Sequence, residues 1–407
     1  MDTLFPKLPE RLLLGPGPSN VHPRVLEAMS RPLIGHLDPD FLSLMNQNQE
    51  LLRAVFQTNN LMTLPLSGTG SSGMEAAVTN FIAPETPILV GINGVFGGRI
   101  KDCAERAGAV VTTVEAPFGK PLDPNEIADA AASCQPQIIA VVHAETSTGV
   151  LQPLKPLREI CERQDALLLV DAVTSLAGHP VAVDAHGIDI CYSGTQKCLS
   201  CPPGLSPFTV SDRAMERLVE KCQSWYLDLR MLGAYWGSKR TYHHTAPISM
   251  NYALRESLAI ILEEGLERRW ERHRLHHKAL VAGLDAMGIG MYVAPEFRLH
   301  PLNTVTIPDG VDDLTIRARL LADFNIEIGG GLGALAGKVW RVGLMGESSK
   351  PNSILYFLQA LGVCLRDTGY RCSPGDGVAA ATETLSVGPT NHLPTRKSNN
   401  VEKSKNV

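Results

Sequence analysis

Residues 192–204 read YSGTQKCLSCPPG, and two chemistries compete there. Cys198 and Cys201 have the C-x-x-C spacing of a metal site or a redox disulfide. Lys197 stands directly before them, after the apolar run 188–193 and ahead of Pro202, Pro203 and Gly204. An amine on a strand-end turn is positioned rather than merely solvated, and a desolvated lysine is the side chain for Schiff-base chemistry. No second C-x-x-C lies at zinc-finger distance, and the two prolines leave no helix for a thioredoxin-like pair. The cysteines therefore read as structural thiols.

Three further constellations bear on Lys197. Asp171 ends the buried run ALLLVDAV. It is either a helix N-cap or an acid pointing into the crevice where parallel sheets bind ligands. Pyridoxal 5′-phosphate (PLP) needs such an acid, because a carboxylate at the pyridine nitrogen keeps the ring protonated and electron-withdrawing. In LSGTGSSGMEAAVTNFI (66–82), Gly68, Gly70 and Gly73 form a G-x-G-x-x-G at a strand-to-helix turn. Bare amides there can cradle a phosphate. A dinucleotide site would also need an acid at the end of the next strand, roughly 20 residues on. That strand ends Gly91-Ile92-Asn93-Gly94, which favours a single phosphate group. Arg341, in the apolar stretch GKVWRVGLMG, needs an anionic partner: a substrate carboxylate or a structural carboxylate. The run ERHRLHH (271–277) lacks the H-E-x-x-H of a zinc helix, and its charged neighbours suggest a solvated face rather than a metal site.

These residues need a scaffold. Short apolar runs at 62–66, 87–91, 109–113, 138–143, 167–171, 188–193 and 206–210 read as strands. Amphipathic stretches at 98–106, 124–133 and 157–164 lie between them. Non-alternating apolar strands interleaved with helices predict an α/β fold with a mostly parallel sheet covered on both faces. A smaller C-terminal α/β domain is expected over 249–370. It holds one long helical pattern (253–287, broken near Glu264–Gly265), strand-like runs at 291–293, 304–307 and 339–343, and a helix at 353–367. The expected organisation is an N-terminal arm (1–20), a large domain (21–248), that small domain, and a disordered tail (371–407) too polar to offset its ordering entropy.

The 407-residue chain carries a net charge of −5 without a basic face, so neither nucleic acid nor an anionic membrane is an expected partner. No run approaches the ~18 apolar residues of a membrane span. The first residues lack the apolar core of a signal peptide, and the SKNV ending matches no retrieval signal. The nine cysteines lack framework spacing and read as reduced thiols of a cytoplasmic protein.

Together, SGTQKCLSCPPG, VDAVTSLAG, SGTGSSGMEA, HAETSTGVLQP, YHHTAP, ALRESLAIILEEGLE and IEIGGGLGALAGKVWRVGLMG resemble the alanine–glyoxylate / serine–pyruvate aminotransferases. These are class V PLP enzymes with the aspartate-aminotransferase fold. The resemblance runs from about Leu14 to about Leu365. It implies a PLP-bearing Lys197 that also shuttles the substrate's Cα proton, and an Asp171 paired with the ring nitrogen. Val173 would pack under the ring and Phe96, often Trp in the family, on its other face. Thr69, Gly70 and Gln196 would hold the phosphate. Thr146, commonly Ser in the family, would bind the phenolic oxygen. Arg341 would clamp the substrate carboxylate. Tyr242 and Thr245 would reach the neighbouring subunit's cofactor phosphate, which implies a homodimer. The implied reaction is transamination between alanine or serine and glyoxylate or pyruvate. A pyridoxamine–pyruvate transaminase is the alternative. A PLP lyase such as a cysteine desulfurase fits less well, since that group puts His where this chain has Phe96 and Gln196.

Overall fold

The computed structural model describes residues 8–386. Its principal sheet contains β1 (Met62–Ser67), β2 (Pro87–Ile92), β3 (Val110–Glu115), β4 (Ile138–Val142), β5 (Leu167–Asp171), β6 (Ile190–Tyr192) and β7 (Leu205–Val210). The spatial order is β1-β7-β6-β5-β4-β2-β3. All neighbouring pairs are parallel except those of β7, which runs antiparallel to β1 and β6. The expected mostly parallel sheet is therefore present, with one reversed strand.

Successive side chains of a strand face opposite sides, and here both sides are cores. Ile139, Val141, Leu168 and Val170 enter one cluster. Ile138, Ala140, Leu167 and Leu169 enter the other. This double burial is why these strands read as continuous apolar runs rather than alternating ones. Helix Gly70–Phe81 packs closely on the sheet through Gly73, where a β-carbon would collide with Ser206 Oγ and lie 2.8 Å from Tyr192 Cβ. We expect Gly73→Val to cost about 1–3 kcal/mol by overpacking. Denaturant unfolding would measure the loss, and an unchanged midpoint would show that the helix has room to move.

A second cluster surrounds an antiparallel sheet of β8 (Leu302–Thr306), β9 (Gly329–Gly330) and β10 (Val339–Gly343), in the order β8-β10-β9. Ile316, Trp340, Phe357 and Leu361 fill it. The long helical pattern resolves into helices Ile248–Glu264 and Leu266–Ala286. Gly265 divides them at φ +83, a left-handed conformation that suits glycine. Leu12–Leu13 pairs in parallel with Ile326–Glu327, and Leu14 is buried in the same cluster, so the N-terminal segment completes the C-terminal unit.

Three expectations are corrected. The run 291–293 forms only an isolated bridge, Met291 to Val305. The segment expected to be disordered from residue 371 is helical over Pro374–Ser386; the remainder, 387–407, lies outside the described residues. Average composition concealed a stripe of small residues in that helix. Gly377 and Ala381 are buried, and a β-carbon at Gly283 would lie 2.8 Å from the Gly377 carbonyl, so the 266–286 and 374–386 helices meet at close range. The histidines of 271–277 do not lie on a solvated face: His273, His276 and His277 are buried. Each is satisfied by hydrogen bonds, His273 with Arg269 O and Gly346 N, His276 with Ser349 Oγ, and His277 with Asn303 Oδ1. No group of side chains suited to a metal occurs among the described residues. Nor is any described helix long and apolar enough to cross a membrane.

Candidate active site

A cavity of about 220 Å³ opens at the C-terminal ends of the parallel strands. Nine of the eleven predicted site residues meet in or beside it. Thr69, Gly70, Phe96, Thr146, Asp171, Val173, Gln196 and Lys197 line it. Arg341 stands next to it and donates from Nη1 to the Thr146 carbonyl at 3.2 Å. Tyr242 and Thr245 do not join them; both are solvent-exposed, with the Tyr242 ring 5.2 Å from that of His36.

Asp171 is the last residue of β5, and one of its oxygens accepts the Val173 N–H at 2.8 Å. Burial pushes its carboxyl up to about 6, against the lowering effect of that hydrogen bond. It is no helix cap, because no helix starts there.

Lys197 lies in the loop between β6 and β7. Burial, and then the charge of Arg341, lower its amine to about 8. Its Nζ donates to the Pro16 carbonyl. Ser19 latches the same loop: its N–H donates to Gln196 O at 2.9 Å and its hydroxyl to Lys197 O at 2.8 Å. A β-carbon at Gly17 would collide with Lys197 Nζ. Gln196 lines the cavity, and its Oε1, an acceptor, is buried without a hydrogen-bond partner among the described residues.

Thr69, Gly70 and Ser71 present the N-terminus of helix Gly70–Phe81 to the cavity, with no side chain capping it. Its free amides and positive dipole end suit an anion. A β-carbon at Gly70 would lie 3.2 Å from Val173 Cγ2, so a larger residue would intrude on the cavity wall.

Arg341 is 7% exposed, and its hydrogen bonds go to backbone carbonyls: Nε to Gly330 at 2.7 Å and Nη1 to Thr146. The structural ion pair that the sequence left open does not form among the described residues. The guanidinium can therefore take a carboxylate from outside.

Cys198 and Cys201 are buried free thiols outside the cavity lining. Cys198 donates to Thr174 O at 3.2 Å, and burial pushes its thiol up to about 12, so the thiol stays protonated and unreactive.

Sequence reasoning missed Pro16 and Gly17, Arg99 and Glu145. The G-P-G-P run at 15–18 was visible, but nothing local ties it to Lys197. Arg99 lies 4.7 Å over the Phe96 ring and lines the cavity. Glu145 is fully buried behind the wall, and HAETSTG offers no spacing rule that points to it.

Comparison with known proteins agrees with this arrangement. Residues 11–345 match the family model for class-V aminotransferases. The chain is 41% identical to the (S)-ureidoglycine–glyoxylate transaminase of Bacillus subtilis, over 92% of this chain and 95% of that protein. The crystal structure of that enzyme superposes with a TM-score of 0.92, covering 94% of this chain and 99% of that one. The alanine–glyoxylate aminotransferase of Nostoc sp. is 50% identical with a TM-score of 0.88, covering 90% and 97% of the two chains. The pyridoxamine–pyruvate aminotransferase of Mesorhizobium loti also has a TM-score of 0.88, at 28% identity over 94% and 99%. The α/β architecture is thus that of the PLP-dependent transferases. With its strand-end acid, loop lysine and capless helix N-terminus set in that architecture, the chain belongs to the class-V aminotransferases, a family of PLP enzymes.

Proposed function

We propose that this enzyme transfers the amino group of a small amino acid, alanine or serine, to glyoxylate, with PLP held in the 220 Å³ cavity and attached to Lys197. The observation that carries this reading is the convergence of a buried amine lowered to about 8, a buried carboxyl and a guanidinium without a carboxylate partner around one small cavity. Glyoxylate is the acceptor common to the names of the Bacillus and Nostoc relatives. Pyruvate stands behind it as acceptor, and ureidoglycine is the second donor reading.

The residues present fit the cofactor. The amides of Thr69, Gly70 and Ser71 suit its phosphate, and the side-chain NH2 of Gln196, which lines the same cavity, is a further donor for it. Asp171, fixed by Val173 N–H, offers its second oxygen to the ring nitrogen. Phe96 and Val173 give the ring apolar walls, and the Thr146 hydroxyl suits the phenolic oxygen. Bound PLP supplies an electron sink for the pair left at the substrate Cα. Arg341 binds the substrate carboxylate and so turns the Cα–H toward Lys197, whose Nζ takes the proton and returns it. An amine lowered to about 8 exchanges a proton near neutrality far more readily than a solvated lysine.

The exposed Tyr242 and Thr245 do not line the active-site cavity of their own chain, and we assign them to a second copy's cofactor phosphate in a homodimer. The free, mostly buried thiols fit a reducing cytoplasm. No cysteine lines the cavity among the described residues, which disfavours desulfurase chemistry.

A half-reaction screen tests the function. The PLP enzyme is mixed with alanine, serine, ureidoglycine or cysteine, and loss of its visible band is followed before an oxo acid is added. Bleaching by alanine or serine and recovery with glyoxylate is the expected result. Release of the vitamin on dialysis would favour pyridoxamine–pyruvate chemistry, and a wild type that stays colourless with added PLP would end the proposal.

A further inference from the structure

We infer that Glu145 is a positioning residue that couples the carboxylate clamp, Arg341, to the cavity wall carrying Phe96 and Thr146. The inference rests on the cavity being the PLP and substrate site proposed above.

Glu145 lies on a two-residue strand, Ala144–Glu145, paired with Val150–Leu151 in a tight hairpin. It is 0% exposed. Its Oε2 accepts the Phe96 N–H at 3.0 Å. Its Oε1 accepts from Ser147, the N–H at 2.9 Å and the hydroxyl at 2.6 Å. Ser147 Oγ in turn accepts the Val95 N–H at 2.9 Å. Helix Val95–Arg106 has no side-chain cap of its own. Its first amides are satisfied from the hairpin instead, by a carboxylate at the positive end of the helix dipole. Space for that carboxylate exists because residue 94 is glycine; a β-carbon there would collide with it.

Thr146 sits between the two capping residues. Its side chain lines the cavity, and its carbonyl accepts Arg341 Nη1. One short segment thus fixes three working parts: the aromatic ring through Glu145, the hydroxyl through Thr146, and the clamp through the Thr146 carbonyl. Burial pushes the Glu145 carboxyl up, while hydrogen bonds from Ser147, Phe96 and Gly97 oppose that rise. A stabilising cap has no need of a cavity wall on one side and the clamp on the other. The hairpin carries both, so a movement of Arg341 onto a carboxylate is transmitted to the seat of Phe96.

Glu145→Gln keeps the shape but turns one acceptor into a donor facing an N–H or O–H group. The probe is acetate, a monocarboxylate without an amino group, added to the PLP-loaded enzyme while its visible circular dichroism is recorded. In wild type, acetate should shift the cofactor band. In E145Q, acetate should still bind, but the shift should be lost, and kcat should fall roughly tenfold to a hundredfold with a smaller change in KM. An E145Q enzyme that melts earlier yet keeps the wild-type band, acetate shift and kcat would reduce Glu145 to a helix cap and overturn the inference. If E145Q does not fold, Ser147→Ala carries the same test: it removes one arm of the cap and should weaken the shift, and a full wild-type shift again overturns the coupling. A wild type with no cofactor band at all would instead overturn the reading of the cavity, and the coupling with it.

Discussion

Lys197→Ala is expected to lose covalent attachment of PLP and to lower turnover by about 10²–10⁴-fold, the usual contribution of a positioned proton-transfer group. Among the described residues the cavity offers no second amine, because lysine enters its lining once. Attachment can be read without assaying activity, by reducing the loaded protein with borohydride and weighing it; wild type should gain the mass of reduced cofactor and the variant should not. The rate of attachment has its own signature. Only the neutral amine attacks a carbonyl, and burial holds this amine at about 8. Loading should therefore quicken as pH rises and level off above about 8, whereas an ordinary lysine would keep gaining to ~10.4. A loading rate still climbing steeply at pH 10 would show that Lys197 is solvated before the cofactor arrives. Turnover surviving in the alanine variant would remove Lys197 from the chemistry.

The second large effect is acid unfolding. Burial keeps six histidines neutral: it lowers His143 and His273 well below 6.5, His179, His276 and His277 to about 4, and His300 to about 3. Four of them stand in a row, with ring centroids 5.6 Å apart for His143–His179, 6.0 Å for His179–His300 and 5.0 Å for His277–His300. Charging one imidazole therefore raises the cost of charging the next. A group whose pKa is depressed by folding contributes stability above its unfolded value, and that stability is lost as pH falls through the folded value. The window here opens at 6.5 and extends to about 4. For the well-buried His276 and His277, a shift from 6.5 to about 4 is worth roughly 3 kcal/mol each. Whole domains are stable by only about 5–15 kcal/mol, so two or three such protonations remove most of the margin. Asp171 acts in the opposite sense in the ligand-free protein. Its raised value adds stability at low pH that is lost as pH rises through about 6, and the buried Glu145, also raised, acts in the same sense, but two carboxyls cannot offset six imidazoles. Denaturant unfolding at intervals from pH 8 to pH 4 would show the slope. Stability that stays flat below pH 6 would mean that water already reaches these rings.

Much of this was legible along the chain because it is local. Strands buried on both faces must be continuously apolar, so the runs that became β4 and β5 could be read directly. Asp171 and Lys197 stand at strand ends, where such sheets hold their ligands. The helix break at Gly265 needed only a glycine in a helical pattern. The helix Pro374–Ser386 was not legible, because its burial depends on how closely another helix approaches, and composition records no partner. The histidines of 271–277 misled for the same reason: charged neighbours in sequence are not neighbours across a helix, and Ser349 and Asn303 answer them from other elements.

The sequence by itself determined the family, because its motifs, an amine and an acid near strand ends and a glycine-rich turn among them, are short local stretches whose order along the chain carries the resemblance. The tertiary structure alone decided the working details. It brought Pro16 and Gly17 against Lys197, left Arg341 without a carboxylate partner among the described residues, and seated Glu145 behind Phe96. The contacts of Lys197 with Pro16 and of Glu145 with Phe96 join residues 181 and 49 positions apart. No local preference encodes such distances; closure of the sheet and the burial of two cores bring them together.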